Sequence, residues 1–251
     1  MINIVIPMAG RGSRFQTAGY TFPKPLIEVY HNGIIKPMIQ MVVENINIKG
    51  KYIFVVLKEH YEQYSLKYLL PLICKENKCE MVVIDTLTEG AACTILLAES
   101  FINNDDELIL ANSDQWVDWN SEHFLQFLRS RDADGGICTF YATHSRWSFA
   151  RVEEGTNVIT EVAEKKPISN VATVGIYWFK HGKFFVKAAK DMINADDRTN
   201  GEFYTCPVFN YMINDNKKIL NYPISKMLGT GTPEDLQHFI RMQEQMNIKK
   251  S

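Results

Sequence analysis

Along the chain, short and almost wholly apolar runs alternate with longer stretches in which apolar positions recur every three or four residues. The runs at 2–9 (INIVIPMA), 52–57 (YIFVVL), 79–85 (CEMVVID), 107–114 (ELILANSD) and 135–142 (GGICTFYA) read as strands. Between them, 36–48, 61–73 (YEQYSLKYLLPLI), 90–102 (GAACTILLAESFI) and 121–132 (SEHFLQFLRSRD) read as helices. A strand without polar alternation is buried on both faces. The series therefore predicts an α/β fold with a mainly parallel sheet sandwiched by helices in Rossmann-like, doubly wound order.

After about Ala142 the pattern changes. Positions 148–165 (SFARVEEGTNVITEVAEK) alternate around a Glu-Gly-Thr-Asn turn, and 171–180 (VATVGIYWFK) form another strong strand. Two helical stretches come next, at 181–193 (HGKFFVKAAKDMI) and 202–213 (EFYTCPVFNYMI), then a strand near 217–224 (KKILNYPI). A terminal helix is announced by Thr232 as N-cap, Pro233 at the first helical position and Asp235 three residues after the cap. No linker, repeat or low-complexity block divides the 251 residues, so 1–251 reads as one domain with halves 1–142 and 143–251.

Composition narrows the function classes. Lys plus Arg total 27 against 29 Asp plus Glu, a net charge of -2, too balanced for a nucleic-acid binder, so bound phosphate must be held locally. The apolar start is too short for a secretory segment, and no run is long enough to cross a bilayer, which excludes a membrane partner. The five cysteines (Cys74, Cys79, Cys93, Cys138 and Cys206) show no metal-like spacing and read as reduced, buried thiols of a cytoplasmic protein. Nothing in the sequence decides between a monomer and a homo-oligomer.

Ligands of such sheets bind at the carboxyl ends of strands. There, the first strand runs into Pro7-Met-Ala-Gly-Arg-Gly-Ser-Arg-Phe15 and a loop ending in Pro23-Lys24-Pro25. Glycines let backbone N–H groups approach phosphate oxygens, and Arg11, Arg14 and Lys24 add charge. Phe15 replaces the third glycine of a GxGxxG fingerprint, the prolines leave little room for the helix it opens, and no GxxxxGK[ST] occurs. A plain glycine turn is the simpler alternative; three cations around two glycines favour a phosphate cradle.

Gly10, Gly12, Arg14 and Pro23-Lys24-Pro25 resemble the signature of the sugar-phosphate nucleotidyltransferases, and the resemblance spans nearly the whole chain. It implies a nucleotide-binding half at 1–142 and an acceptor-binding half at 143–251. By that resemblance Ala9, Gly10, Arg11, Gly12 and Ser13 hold the triphosphate, while Arg14 and Lys24 act on phosphates near the reacting centre. Thr88-Glu89-Gly90-Ala91-Ala92 resembles the base-contacting segment, giving Thr88 and Gly90 that role, with Asn112 beside them. Asp114 in Asn112-Ser113-Asp114-Gln115 stands where the family carries a Mg2+ ligand. Glu164-Lys165-Lys166-Pro167 resembles the family's Glu-Lys-Pro, whose lysine binds the acceptor phosphate; Lys165 is chosen, with Lys166 the alternative. Gly175 and Glu202 fall in the two acceptor-recognition segments.

The resemblance also exposes a departure. Gly229 stands where the family usually has a second acidic ligand, and Asp235, the nearest acid, is accounted for by helix capping. The opening IPMAGRGSRF and the Asn-Ser-Asp-Gln variant are similar to a capsule-locus branch that includes CTP:phosphoglutamine cytidylyltransferases. The resemblance as a whole implies an enzyme whose partners are a nucleoside triphosphate and a small phosphorylated acceptor, with Mg2+ as cofactor. Two rivals remain. A nucleotide-sugar glycosyltransferase would want two carboxylates where Asn112-Ser113-Asp114 has one, and a non-catalytic nucleotide sensor would share the cradle without the chemistry.

Overall fold

The computed structural model describes residues 1–248. Strand β1 (Ile2–Pro7) leads into the short helix α1 (Ser13–Thr17), a 3-10 turn (Lys24–Leu26) and a hairpin of β2 (Glu28–His31) and β3 (Ile34–Pro37). Then come α2 (Met38–Ile46), β4 (Lys51–Leu57), α3 (Lys58–Gln63), α4 (Leu66–Cys74), β5 (Lys78–Ile84), α5 (Ala91–Leu96) and α6 (Glu99–Ile102). The middle of the chain supplies β6 (Glu107–Ala111), β7 (Gln115–Asp118), α7 (Ser121–Ser130), β8 (Gly135–Tyr141), β9 (Ser148–Val152), β10 (Ile159–Glu164) and β11 (Val171–Phe179). It ends with α8 (Gly182–Asn194), α9 (Val208–Asn214), β12 (Ile219–Pro223), β13 (Lys226–Gly229) and α10 (Pro233–Ile248).

One large mixed sheet runs β5-β4-β1-β6-β11-β8-β12, with β9 and β10 continuing from β11. The pairs β1/β4, β1/β6, β4/β5 and β8/β12 are parallel, while β11 runs antiparallel to both β6 and β8. The fold is thus the expected helix-flanked α/β sandwich, with one correction. The strand at 135–142 does not continue the parallel series directly, because β11, whose residues from Ala172 to Phe179 are all buried, inserts between β6 and β8. Side chains alternate across the sheet: Ile4 and Ile6 of β1 join the core under α2, α4, α7 and α10, and Val5 joins the core under α5, α6, α8 and α9.

Other departures have local causes. The stretch 61–73 is two helices, because Ser65 (φ 50°) turns the chain so that Leu66, Leu70 and Ile73 reach the core, whereas α3 buries no residue. Helix 36–48 begins only at Met38, since Lys36 and Pro37 belong to β3. That hairpin turns at Asn32-Gly33, both at positive φ (54° and 79°), the strongest short hairpin signal a sequence can carry. The stretch 90–102 splits into α5 and α6. The stretch 202–213 is helical only from Val208; Phe203 instead donates to the Glu89 carbonyl (2.8 Å) and accepts from Ala92 N–H (3.0 Å). All five cysteines are free, as expected, but Cys79 and Cys93 are only half-buried. No helix of the described residues is long and apolar enough to cross a membrane.

Candidate active site

The ends of β1 and β6, the middle of β11, the loop before β9 and the start of α10 surround one cleft of about 770 Å3. Every residue given a site role from sequence lines it: Ala9 to Arg14, Lys24, Thr88, Gly90, Asn112, Asp114, Lys165, Gly175 and Glu202 converge from both halves of the chain, and only Lys166, the alternative to Lys165, lies outside.

Leaving β1, the chain makes its last sheet bond from Met8 N–H to the Val55 carbonyl (2.8 Å). From there to α1 the backbone N–H groups of Ala9, Gly10, Arg11 and Gly12 donate to no other group among the described residues. Phe15, 1% exposed and edge-on to Tyr20 with ring centroids 5.1 Å apart, anchors the far end of the loop. Arg11, Ser13 and Arg14 stay exposed along the cleft. Unpaired donors beside two guanidinium groups form a surface suited to phosphate oxygens.

Lys24 crosses the cleft floor and donates from Nζ to Asp114 Oδ2 at 2.7 Å, both side chains about a quarter exposed (23% and 24%). Asp114 leaves β6 on a backbone fixed by Thr230, whose N–H donates to the Asp114 carbonyl at 2.8 Å. Gly231 gives the carboxylate room, since a Cβ there would stand 2.8 Å from Oδ2. A Cβ on Gly229 would face Asp235 Oδ2 at 3.9 Å. Thr232 does cap the Asp235 N–H (3.2 Å), yet the Asp235 carboxylate also accepts from Arg146 Nη1 (3.1 and 3.3 Å) and lines the cleft. Capping therefore accounts for its backbone and not for its side chain.

No three His, Cys, Asp or Glu side chains among the described residues converge into a cage for a metal ion. Asp114 offers a hard oxygen in the same cleft as the Gly-rich loop. That donor set fits Mg2+, which keeps several waters and binds through one or two carboxylates plus substrate phosphates.

Thr88 closes one side of the cleft. Its hydroxyl donates to the Gly90 carbonyl (2.9 Å) and meets the Thr94 hydroxyl (2.6 Å). Gly90 (φ +136°) lies flat on the Phe203 backbone, so that a Cβ would stand 2.4 Å from the Phe203 oxygen and 2.6 Å from its nitrogen. This close approach ties the Thr88–Ala92 segment to the Glu202–Thr205 segment. Gly90→Ala is expected to destabilise the protein by about 1–3 kcal/mol through overpacking, lowering its Tm by several degrees in a thermal melt; an unchanged Tm would contradict the contact.

On the opposite side, β11 carries a bulge: its register with β8 shifts between Thr173 and Tyr177, around Gly175 (φ +79°). The Gly175 carbonyl accepts from Asn112 N–H at 3.0 Å, and a Cβ on Gly175 would strike the Asn112 side chain at 2.2 Å. Next to it, Ser148 donates to Glu164, and burial pushes the Glu164 carboxyl above the usual carboxylate range. The Ser148 bond and the Lys165 charge oppose that shift, and the Glu202 charge adds to it. Lys165 donates from Nζ to the Tyr204 hydroxyl and sits over that ring, 4.2 Å from its centroid. Lys166 is exposed and outside the cleft.

Several cleft residues were given no site role from sequence: Glu164, Tyr204, Arg146, Trp147, Tyr177 and Asp235, the last of which was set aside as a helix cap. Glu164 and Tyr204 had a signal, since Glu164 adjoins Lys165 and Tyr204 lies two positions after Glu202. Arg146 had none, because its place comes from the loop between β8 and β9 reaching across to α10.

The fold and the cleft together define a class of nucleotide-handling α/β protein. The model of the Nucleotidyl transferase family matches residues 4–245, and the chain belongs to that family. It is 26% identical over 177 residues to a mannose-1-phosphate guanyltransferase of Yarrowia lipolytica, covering 69% of this chain and 48% of that protein. The chain thus spans about half the length of the curated relative it matches. Its structure is similar to a nucleoside-diphosphate-sugar pyrophosphorylase from Vibrio cholerae (TM-score 0.79, 23% identity, 95% and 99% of the two chains). It is also similar to a UDP-glucose pyrophosphorylase from Acinetobacter baumanii (TM-score 0.71, 17% identity, the full length of both chains). At those identities the structural likeness is one of fold.

Proposed function

We propose that this cleft transfers the nucleoside monophosphate part of a nucleoside triphosphate to a phosphate oxygen of a small phosphorylated acceptor in the cytoplasm, with release of pyrophosphate. The observation that carries the reading is the run of unpaired N–H groups from Ala9 to Gly12, flanked by Arg11, Arg14 and Lys24. An acceptor phosphate oxygen is already ionised near neutral pH, so it attacks the α-phosphorus without a general base while the bond to the β-phosphate breaks. Residues then act by positioning and charge neutralisation: the loop and Arg14 on the triphosphate, Lys24 near the reacting phosphates, Lys165 on the acceptor phosphate. Asp114 would hold Mg2+, which when bound supplies further neutralisation of the triphosphate.

Base and acceptor are a finer step. The IPMAGRGSRF opening and the Asn112–Gln115 variant support CTP and a phosphoglutamine-like acceptor for capsular polysaccharide modification. The Yarrowia relative supports guanylyl transfer to a sugar 1-phosphate. Four triphosphates assayed for pyrophosphate release against a panel of sugar 1-phosphates and phosphorylated amino-acid amides decide between them; no release with any combination would leave a nucleotide sensor. With the best pair, Lys165→Ala is expected to raise the acceptor KM roughly tenfold or more and leave the nucleotide KM nearly unchanged. Equal effects on both substrates would remove Lys165 from the acceptor phosphate.

A further inference from the structure

The acceptor end of the cleft already holds a positively charged nitrogen. Lys165 Nζ bonds the Tyr204 hydroxyl and lies 4.2 Å from the ring centroid, so the aromatic face is occupied by an ammonium of the protein itself. Two carboxylates, Glu164 and Glu202, border the same corner. The Glu202 backbone is held in a two-way bridge to Thr199, with both N–H···O distances 3.0 Å, and its side chain is exposed at the cleft. Glu164 is held in place by Ser148. The other cation at this end, Arg146, is engaged by Asp235.

When Lys165 turns to the acceptor phosphate, this corner is left with two acidic side chains, no cation and a bare aromatic face. A neutral polyol would donate hydrogen bonds to the acidic side chains but bring no counter-charge. A cationic nitrogen satisfies both carboxylates and the ring. We infer that the corner formed by Glu164, Glu202 and Tyr204 takes a positively charged nitrogen of the acceptor, so that the acceptor class is a small phosphomonoester that also carries an ammonium group. The inference rests on the nucleotidyl-transfer reading for its placement of the phosphate at Lys165.

Matched probes test it. Calorimetric titrations use the full chain mixed with Mg2+ and the four α,β-methylene nucleoside triphosphates. The ligands are O-phosphoserine against 3-phosphoglycerate, and O-phosphoethanolamine against ethylene glycol monophosphate; within each pair an ammonium replaces a hydroxyl. The ammonium member of each pair is expected to bind about tenfold tighter or more, by analogy with desolvated cation–aromatic and charge-assisted contacts. Glu202→Gln, which keeps shape and removes charge, is expected to bring the ratio close to one. Equal or tighter binding of the hydroxyl members, binding of neither member, or an unchanged ratio in Glu202→Gln overturns the inference. Pyrophosphate release separates the two readings. Ammonium preference without release for any natural triphosphate would defeat nucleotidyl transfer and leave the corner assigned, whereas release with no ammonium preference would do the reverse.

Discussion

Alanine at Lys24 or at Arg14 is expected to lower turnover about a hundredfold or more, since losing one preorganised charge stabiliser typically costs about 3 kcal/mol. The two losses should differ in kind. Arg14 is exposed on the cleft wall, and its removal subtracts one cation from the phosphate surface. Lys24 is also the partner of Asp114 at 2.7 Å, so its removal both subtracts a cation and leaves a carboxylate unopposed where anions must gather. Lys24→Ala should therefore be the more damaging, and adding Asp114→Ala to it should cost less than the sum of the single effects. A partly exposed ion pair contributes only about 1 kcal/mol or less to stability, so both variants should fold and melt near the wild-type temperature. Measured kcat and kcat/KM for pyrophosphate release decide the matter; wild-type rates in either folded variant would sink the assignment.

How much of the protein was legible in its sequence depends on the range over which each signal acts. The apolar runs of β1, β4, β6 and β11 predict buried strands because burial on both faces is written into each residue of the run. Their order is not local, and so the insertion of β11 between β6 and β8 had no signal within either strand. The Asn32-Gly33 turn was local and readable, but positions 26–35 were assigned no element. In the cleft, the Gly-rich loop and Pro23-Lys24-Pro25 were legible because the chemistry is contained in one stretch of chain. The pairing of Lys24 with Asp114, ninety positions apart, was not. The same limit applies to Asp235, whose capping role is visible within four residues while its partner Arg146 is supplied by a distant loop.

The Lys24–Asp114 pair also sets the expected behaviour of the metal. In the free protein one carboxylate oxygen of Asp114 is already satisfied by an ammonium, and Gly229 places no acid beside it. A dication arriving alone must compete with the Lys24 charge for Asp114, dehydrate in part and gain a single carboxylate, which Mg2+ does reluctantly. A triphosphate changes both sides of that balance, because it offers Lys24 other anionic oxygens and gives the ion additional ligands. Mg2+ binding to the nucleotide-free protein is therefore expected to be weak, and to tighten about tenfold or more when a nonhydrolysable triphosphate is present. Lys24→Met should strengthen Mg2+ binding in the nucleotide-free protein, since it removes the competitor, even as it lowers turnover. Asp114→Ala should abolish the protein's share of the nucleotide-dependent binding and most of the activity. Calorimetry with Mg2+ or Mn2+, with and without nucleotide, reads these outcomes directly. Tight stoichiometric Mg2+ binding by the nucleotide-free wild type, or full activity in Asp114→Ala, would show that the ion is held elsewhere or not needed.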